Sequence, residues 1–224
     1  MTIDVSLYRQ YLNYPVVLIG AGGIGSNLLP TLVKAGPKCL SIWDDDHVEP
    51  VNLAQQNFNQ DEIGMPKCIA LAHKAQQINP AISIIVHNKR VAVDDWLDGI
   101  VISGVDSMES RKAIFAAVRQ SDQWPHQVSL YIDGRLSRKY HEICEFYCIN
   151  PQDPWEVEAY YESLFDESLA PKEPRPDKLA AQTPQVLAGL ITQSLSKWVH
   201  KERRPWKVTW DGSTMHAQAY WRKP

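Results

Sequence analysis

The sequence predicts an α/β fold: a doubly wound, mainly parallel sheet with helices on both faces and an antiparallel extension at its C-terminal end. Two observations carry this prediction. Short unbroken apolar runs such as Val16-Val17-Leu18-Ile19 and Ile100-Val101-Ile102 alternate with helical segments as far as Ile132. Runs of that kind suit strands covered on both faces, and their alternation with helices suits right-handed crossovers. Beyond residue 140 the pattern changes to a long strand, a helix and a terminal hairpin.

Taken in order, residues 6–12 read as a short helix and residues 15–19 as a strand ending in glycine. A helix spans 24–35 and stops at Gly36-Pro37, with Pro30 expected to kink it or end its first segment. Residues 39–43 form the second strand, which runs into Asp44, Asp45 and Asp46. Next come a helix at 65–77, a strand at 82–87, a short helix or turn at 91–97 and a strand at 100–103. A helix at 107–120 and strands at 130–132 and 140–150 follow. Residues 151–184 are acidic and Pro-rich with little periodicity, which predicts a long surface loop or a partly ordered segment. A helix at 186–200 precedes the hairpin of 206–210 and 215–221, turned at Asp211-Gly212. With no internal repeat and no Gly/Ser linker, residues 1–224 are read as a single domain containing that loop.

Composition excludes several classes. With 44% hydrophobic residues the chain can build a full core, and a net charge of -3 gives no reason to expect nucleic acid or an anionic membrane as partner. No apolar run is long enough to span a bilayer, and the first residues lack an apolar signal core, so the cytoplasm is the expected location. Cys39, Cys68, Cys144 and Cys148 form no CxxC pair, which argues against a tetrahedral zinc site. Cys144 and Cys148, four apart in one strand, share a face and read as packed thiols rather than nucleophiles.

Gly20-Ala21-Gly22-Gly23-Ile24-Gly25 fits GxGxxG between a strand and a helix. Such glycines let backbone N–H groups meet a phosphate at the helix N-terminus, a Rossmann-like arrangement. Ser26 and Asn27 add polar groups to the first turn. Asp44, about 20 residues on, stands where a carboxylate accepts from ribose hydroxyls. At this point NAD, FAD and ATP are all compatible.

The next stretch narrows the choice. Asp44, Asp46, Val48, Asn52, Leu53 and Gln56 resemble the Asp-x-Asp-x-Val and Asn-Leu-x-Arg-Gln signature of the ThiF/MoeB/HesA family. Gly64-Met65-Pro66-Lys67 resembles its Gly-x-x-Lys, and Asp106-Ser107 with Arg111 resembles its Asp-Asn-x-x-x-Arg. The resemblance implies an ATP-dependent adenylyltransferase of the ubiquitin-activating type, which joins AMP to the C-terminal carboxylate of a ubiquitin-like or sulfur-carrier protein, or of a peptide or small acid. It implies ATP at Gly20, Gly22, Gly23, Gly25, Asp44, Asp46, Asn52, Gln55, Gln56 and Lys67. It also implies Mg²⁺ on Asp106, catalysis by Asp106, Lys67 and Arg111, and a homodimer. The chemistry suits these types, since a carboxylate must approach a polyphosphate and the charge must be offset. Plainer uses exist for each: Lys67 as a solvated first-turn residue, Asp106 as a helix N-cap, Arg111 in a surface ion pair, Asp45 facing solvent.

Departures from the pattern qualify the activity. Gln55 replaces the signature's Arg, and an amide carries no charge. Arg9, which family dimers could bring across to a partner's site, is a candidate substitute. Ser107 replaces the usual Asn, and no cysteine follows Cys148, so adenylation without an enzyme thioester is expected. Residues 151–184 fall where the family carries a crossover loop, and Trp155, Tyr160, Tyr161 and Phe165 within them could grip an extended tail. Two other readings compete: a catalytically impaired nucleotide-binding partner subunit of the same fold, and an NAD-dependent oxidoreductase, which would leave Lys67, Asp106 and Asn52 without a purpose.

Overall fold

A computed structural model describes residues 14–120, 127–137, 143–166, 168 and 182–222. The helix expected at 6–12, with Arg9, and residues 169–181 lie outside the described residues. Strands β1 (Pro15–Ile19), β2 (Cys39–Trp43), β3 (Ile84–His87), β4 (Gly99–Ser103), β5 (Val128–Leu136), β6 (Ile143–Ile149), β7 (Lys207–Asp211) and β8 (His216–Tyr220) form one sheet. Their order is β3-β2-β1-β4-β5-β6-β7-β8. The first five are parallel, with Leu18 between Ile42 and Ile102, and the last three antiparallel, with Ile132 opposite Cys148.

Five helices flank the sheet among the described residues: α1 (Gly23–Ala35), α2 (Lys67–Ile78), α3 (Met108–Gln120), α4 (Pro154–Glu162) and α5 (Gln182–Val199). Period-two alternation divides the core between two faces. On one face Leu18, Ile42, Ile102, Ile132 and Phe146 pack under α1, α2 and α5. On the other, Val17, Val101, Tyr131 and Ile149 pack under α3 and α4, where Phe115 and Tyr160 are fully buried. Each such side chain contributes roughly 1.5–3 kcal/mol by leaving water. No helix among the described residues is long and apolar enough to cross a membrane.

Three expectations are corrected in part. Of the two outcomes expected at Pro30, an end to the first segment does not occur, since α1 runs on to Ala35. Pro30 has no N–H for the Ser26 carbonyl, and Asn57 Nδ2 donates to that carbonyl instead at 3.4 Å. The stretch after Pro151 is not loop throughout, because α4 forms within it. Asp153 caps α4, accepting from Trp155 N at 3.0 Å and Glu156 N at 3.4 Å, and Pro154 takes the first helical position. α5 spans Gln182–Val199 among the described residues, so it reaches ahead of residue 186. Residues 91–97 hold a turn, with Asp95 accepting from Ala92 N at 2.7 Å.

Candidate functional site

β1 has β2 and β3 on one side and β4 and β5 on the other, so a crevice opens beyond the carboxyl ends of β1 and β4. A cavity of about 950 Å³ occupies it. One end is lined by Gly20, Gly22 and Gly23, the carboxylates Asp44 to Asp46, Gln55, Gln56, Lys67 and the β4–α3 loop with Asp106. The cavity continues over the antiparallel strands, along Arg135, Ser137, Glu145, Phe165 and Thr183.

The glycine turn is fixed by close packing. Gly20 N donates to Trp43 O at 2.8 Å, and Gly104 N to Ile19 O at 2.8 Å. Gly20 has φ of 90°, and a Cβ there would sit 3.0 Å from the Gly104 backbone. Gly25 does not line the cavity; it lets α1 pass the turn, since a Cβ would fall 1.9 Å from Gly20 O. Gly22 caps α1 without a side chain, so the helix begins bare at the cavity. Ser26 and Asn27 do not face the cavity as free polar groups. Ser26 Oγ donates to Gly22 O at 2.6 Å and accepts from Asn57 N at 2.9 Å. Asn27 Nδ2 donates to Gly23 O at 2.7 Å and Gln55 O at 2.9 Å. They tie residues 55–57 to the helix start, which sets Gln55 and Gln56 on the cavity wall. Gln56 Oε1 is buried without a hydrogen-bond partner.

Asp44 braces the turn: Oδ2 accepts from Ala21 N at 2.6 Å and Oδ1 from Asp46 N at 2.8 Å. Burial raises its carboxyl above the ordinary carboxylate range, against the lowering by those two N–H groups and Lys67. Asp46 accepts from Lys67 Nζ at 2.9 Å; the lysine side chain is 8% exposed and the carboxylate 60%. Asp45 is exposed, as expected, and pairs with Arg90 at 2.9 Å on the cavity rim. The three carboxylates come close enough to share a cation, but each already has protein donors.

Asp106 follows β4, is exposed and lines the cavity. At the start of α3 Ser107 Oγ accepts from Ser110 N at 3.1 Å, a capping bond. Asn and Ser cap equally well, so the exchange at 107 keeps the helix start intact. Arg111 is buried beneath this loop, donating from Nε to Asp133 Oδ1 at 3.2 Å and from Nη2 to the Val105 carbonyl. Asn52 stands away from the lining: its Oδ1 accepts from Glu49 N at 2.8 Å in a capping box on the 3₁₀ turn Pro50–Ala54. Its side chain shapes the turn that delivers Gln55 and Gln56.

Of the four aromatics considered for gripping a tail, Phe165 lines the cavity. Tyr160 is fully buried, Trp155 packs edge-on against Trp206 with ring centres 5.4 Å apart, and Tyr161 meets Phe115 at 5.0 Å. Cys144 and Cys148 do share a face and are buried, and burial pushes their thiols up to about 12 and about 11.

Sequence reasoning missed Lys89, Arg90, Asp133, Arg135 and Glu145. The first two close β3 at the same carboxyl edge as Asp44. The alternation of Asp133 and Arg135 in an otherwise apolar strand was a readable sign of charges on one buried face.

A model described as the ThiF family matches residues 1–220. Ubiquitin-like modifier-activating enzyme 5 of Mus musculus is 26% identical over 88% of this chain and 52% of its own length. The Rattus norvegicus protein is 29% identical over 53% of this chain and 34% of its own length. The chain therefore spans about a third to a half of these relatives. Among solved structures, PaaA superposes with a TM-score of 0.71 at 16% identity, over 95% of this chain and 74% of that chain. E. coli MccB gives 0.70 at 18% identity over 98% and 66%, and its structure with ATP 0.68 at 19% over 98% and 68%. These likenesses show a shared Rossmann-like fold, and the match across residues 1–220 places this chain in the ThiF family.

Proposed function

We propose that the chain is an ATP-dependent adenylyltransferase that activates the C-terminal carboxylate of a ubiquitin-like or sulfur-carrier protein, or of a peptide or small acid, without an enzyme thioester. The observation that carries this reading is the continuity of one cavity from the bare glycine turn to the antiparallel strands. Its volume lies at the upper end of the range for ligand pockets, about 300–1,000 Å³. A nucleotide at one end and an acyl tail at the other would meet near Gly23 and Leu136. Relatives named as ubiquitin-like modifier-activating enzymes, and the MccB structures with ATP and with its peptide MccA, support the same assignment.

In this reading the first N–H groups of α1 receive phosphate oxygens, Asp44 accepts from the ribose and Lys67 turns from Asp46 to the phosphates. Gln55 and Gln56 offer amide donors beside Gly22. A carboxylate oxygen attacks the α-phosphorus, the bond to the bridging oxygen breaks, and pyrophosphate leaves with both electrons. Asp106, an exposed carboxylate beside the phosphate end, fits the hard-oxygen preference of Mg²⁺, which would neutralise charge on the phosphates. The reading includes a cytoplasmic homodimer in which Arg9 answers the charge missing at Gln55.

Exchange of labelled pyrophosphate into ATP, dependent on an added carboxylate, tests the reaction. Asp106→Ala should abolish it; exchange unchanged by that substitution would remove Asp106 from the chemistry. One observation favours the impaired partner subunit: each described lysine or arginine lining the cavity already has a carboxylate partner. Tight ATP binding without exchange, across carrier proteins, peptides and small acids, would select it.

A further inference from the structure

We propose that Asp133 is a positioning residue that sets the Asp106 loop and the end of α4 together. The inference rests on the assignment of Asp106 to the metal. Asp133 is completely buried and does not line the cavity. Its Oδ1 accepts from Arg111 Nε at 3.2 Å; its Oδ2 accepts from Arg135 Nε at 2.7 Å and from the Tyr160 hydroxyl at 3.0 Å.

Neither guanidinium stops there. Arg111 continues through Nη2 to the carbonyl of Val105, the residue before Asp106. Arg135 continues through Nη1 to Ser163 O at 3.1 Å and through Nη2 to Ser163 Oγ at 3.0 Å. Ser163 is the C-cap of α4, and the chain runs from it to Phe165 on the cavity wall. One arm thus holds the loop that presents Asp106, and the other holds the wall along the tail end of the cavity.

The two arms share a single rigid carboxylate. Each arginine occupies one oxygen, so a rotation of Asp133 that follows Arg111 carries the other oxygen away from Arg135 and Tyr160. Two buried guanidiniums also cannot both lose their counter-charge cheaply. Displacement at one end of the cavity is therefore felt at the other, with no contact between Asp133 and either ligand.

Three variants test this, read by MgATP binding over a Mg²⁺ titration, by ATP binding without metal, and by amide exchange at Ser163 and Leu164. Those amides donate to Tyr160 O and Tyr161 O at 2.9 and 3.0 Å. Asp133→Asn should raise the Mg²⁺ requirement about 10- to 100-fold, as loss of a group that orients a metal ligand does, and should speed exchange at both amides. Metal-free ATP binding should stay unchanged, a pattern that general loosening would not give. Arg111→Lys should raise the Mg²⁺ requirement and also speed exchange at the two amides, and Arg135→Lys should speed exchange and also raise the Mg²⁺ requirement, each far effect smaller than the near one. A folded Asp133→Asn chain with the original Mg²⁺ dependence overturns the proposal. Should that variant fail to fold, the paired lysine variants decide: coupled effects support it and strictly additive ones overturn it. Asp106→Ala serves as the control. If it leaves Mg²⁺ dependence intact, the metal assignment falls and the proposal with it; if it removes the dependence while Asp133→Asn does not shift it, the proposal alone falls.

Discussion

Gly22→Ala and Gly25→Ala separate the two uses of the glycine turn. At Gly25 a Cβ would lie 1.9 Å from Gly20 O and 3.0 Å from Gly20 C. The oxygen would have to withdraw by more than an ångström to reach an ordinary contact. Gly20 cannot yield freely, because its N–H is held on Trp43 O at 2.8 Å and there is no room for a Cβ between it and the Gly104 backbone, which such an atom would meet at 3.0 Å. The turn would shift and break the 2.6 Å bond from Ala21 N to Asp44. A hydrogen bond to a charged group contributes about 1.5–3 kcal/mol, and strain adds to that. In a chain of this size about 3 kcal/mol corresponds to a fall in melting temperature of roughly 6–12 °C. At Gly22 the nearest atom to a new Cβ is Gln56 Nε2 at 4.0 Å, so nothing in the protein obstructs it. That methyl would stand where a phosphate meets the start of α1. Gly22→Ala should therefore melt within a degree or two of the parent and lose ATP binding, while Gly25→Ala should lose stability as well. Thermal unfolding without ligand and calorimetric titration with MgATP measure both. A Gly22→Ala chain that binds ATP as tightly as the parent would refute phosphate contact at this turn.

Three further outcomes follow from the geometry. Lys67→Ala should weaken ATP binding at least tenfold yet lower the melting temperature by only a few degrees, because the Asp46 carboxylate it leaves is 60% exposed and is taken over by water; equal ATP affinity in titration would contradict it. Asn52→Ala should cost about 1 kcal/mol through loss of the cap on Glu49 N, with ATP affinity nearly unchanged. A tenfold loss of affinity without loss of stability would restore the phosphate contact that the signature implies. Cys144 and Cys148 should resist iodoacetamide at pH 8 in the folded chain: raised thiol values leave thiolate fractions of about 10⁻⁴ and 10⁻³ at that pH, and the fraction grows only as pH climbs toward the folded values. Rapid labelling detected by mass spectrometry would reopen a nucleophilic role for them.

The centre of the parallel sheet was legible because β1 and β4 are covered on both faces, and so read as unbroken apolar runs. That Asp44 and Asp106 line the cavity was legible from their places beside strand ends, and that Lys67 does so from its Gly-x-x-Lys resemblance at a helix start. The helix α4 was not, since it buries little beyond Glu156 and Tyr160 and shows almost no amphipathic period. Its Asp153-Pro154 start was the only local signal, hidden in a run rich in proline and acids. The place of Asn52 outside the cavity lining was not legible for a different reason. A signature residue can recur because it shapes the backbone, and here its acceptor bond to Glu49 N holds the turn that carries Gln55 and Gln56. Arg111 was placed correctly next to Asp106 but reaches the loop from below, which sequence spacing cannot convey.

Burial of the partner carboxylates decides which cations can turn to an incoming polyphosphate. Arg111 and Arg135 share Asp133, whose side chain is 0% exposed; drawing either guanidinium away would leave a buried charge short of its counter-ion, a loss of roughly 3–5 kcal/mol where a pair is broken in this way. Lys67 differs, because its partner Asp46 is 60% exposed and water takes over when the lysine leaves. Arg90 and Asp45 are both exposed, at 74% and 41%, and separate as readily. Lys89 is held by Asp95, whose side chain is 15% exposed. In the proposed reaction the cavity cations freest to turn to phosphate are therefore Lys67 and the rim arginine Arg90, while Arg111 is held between Asp133 and the Val105 carbonyl. Under the proposed function the uncharged Gln55 leaves a deficit for Lys67 and Arg90 to offset, and an Arg90→Ala chain with undiminished MgATP affinity would place the compensating charge elsewhere.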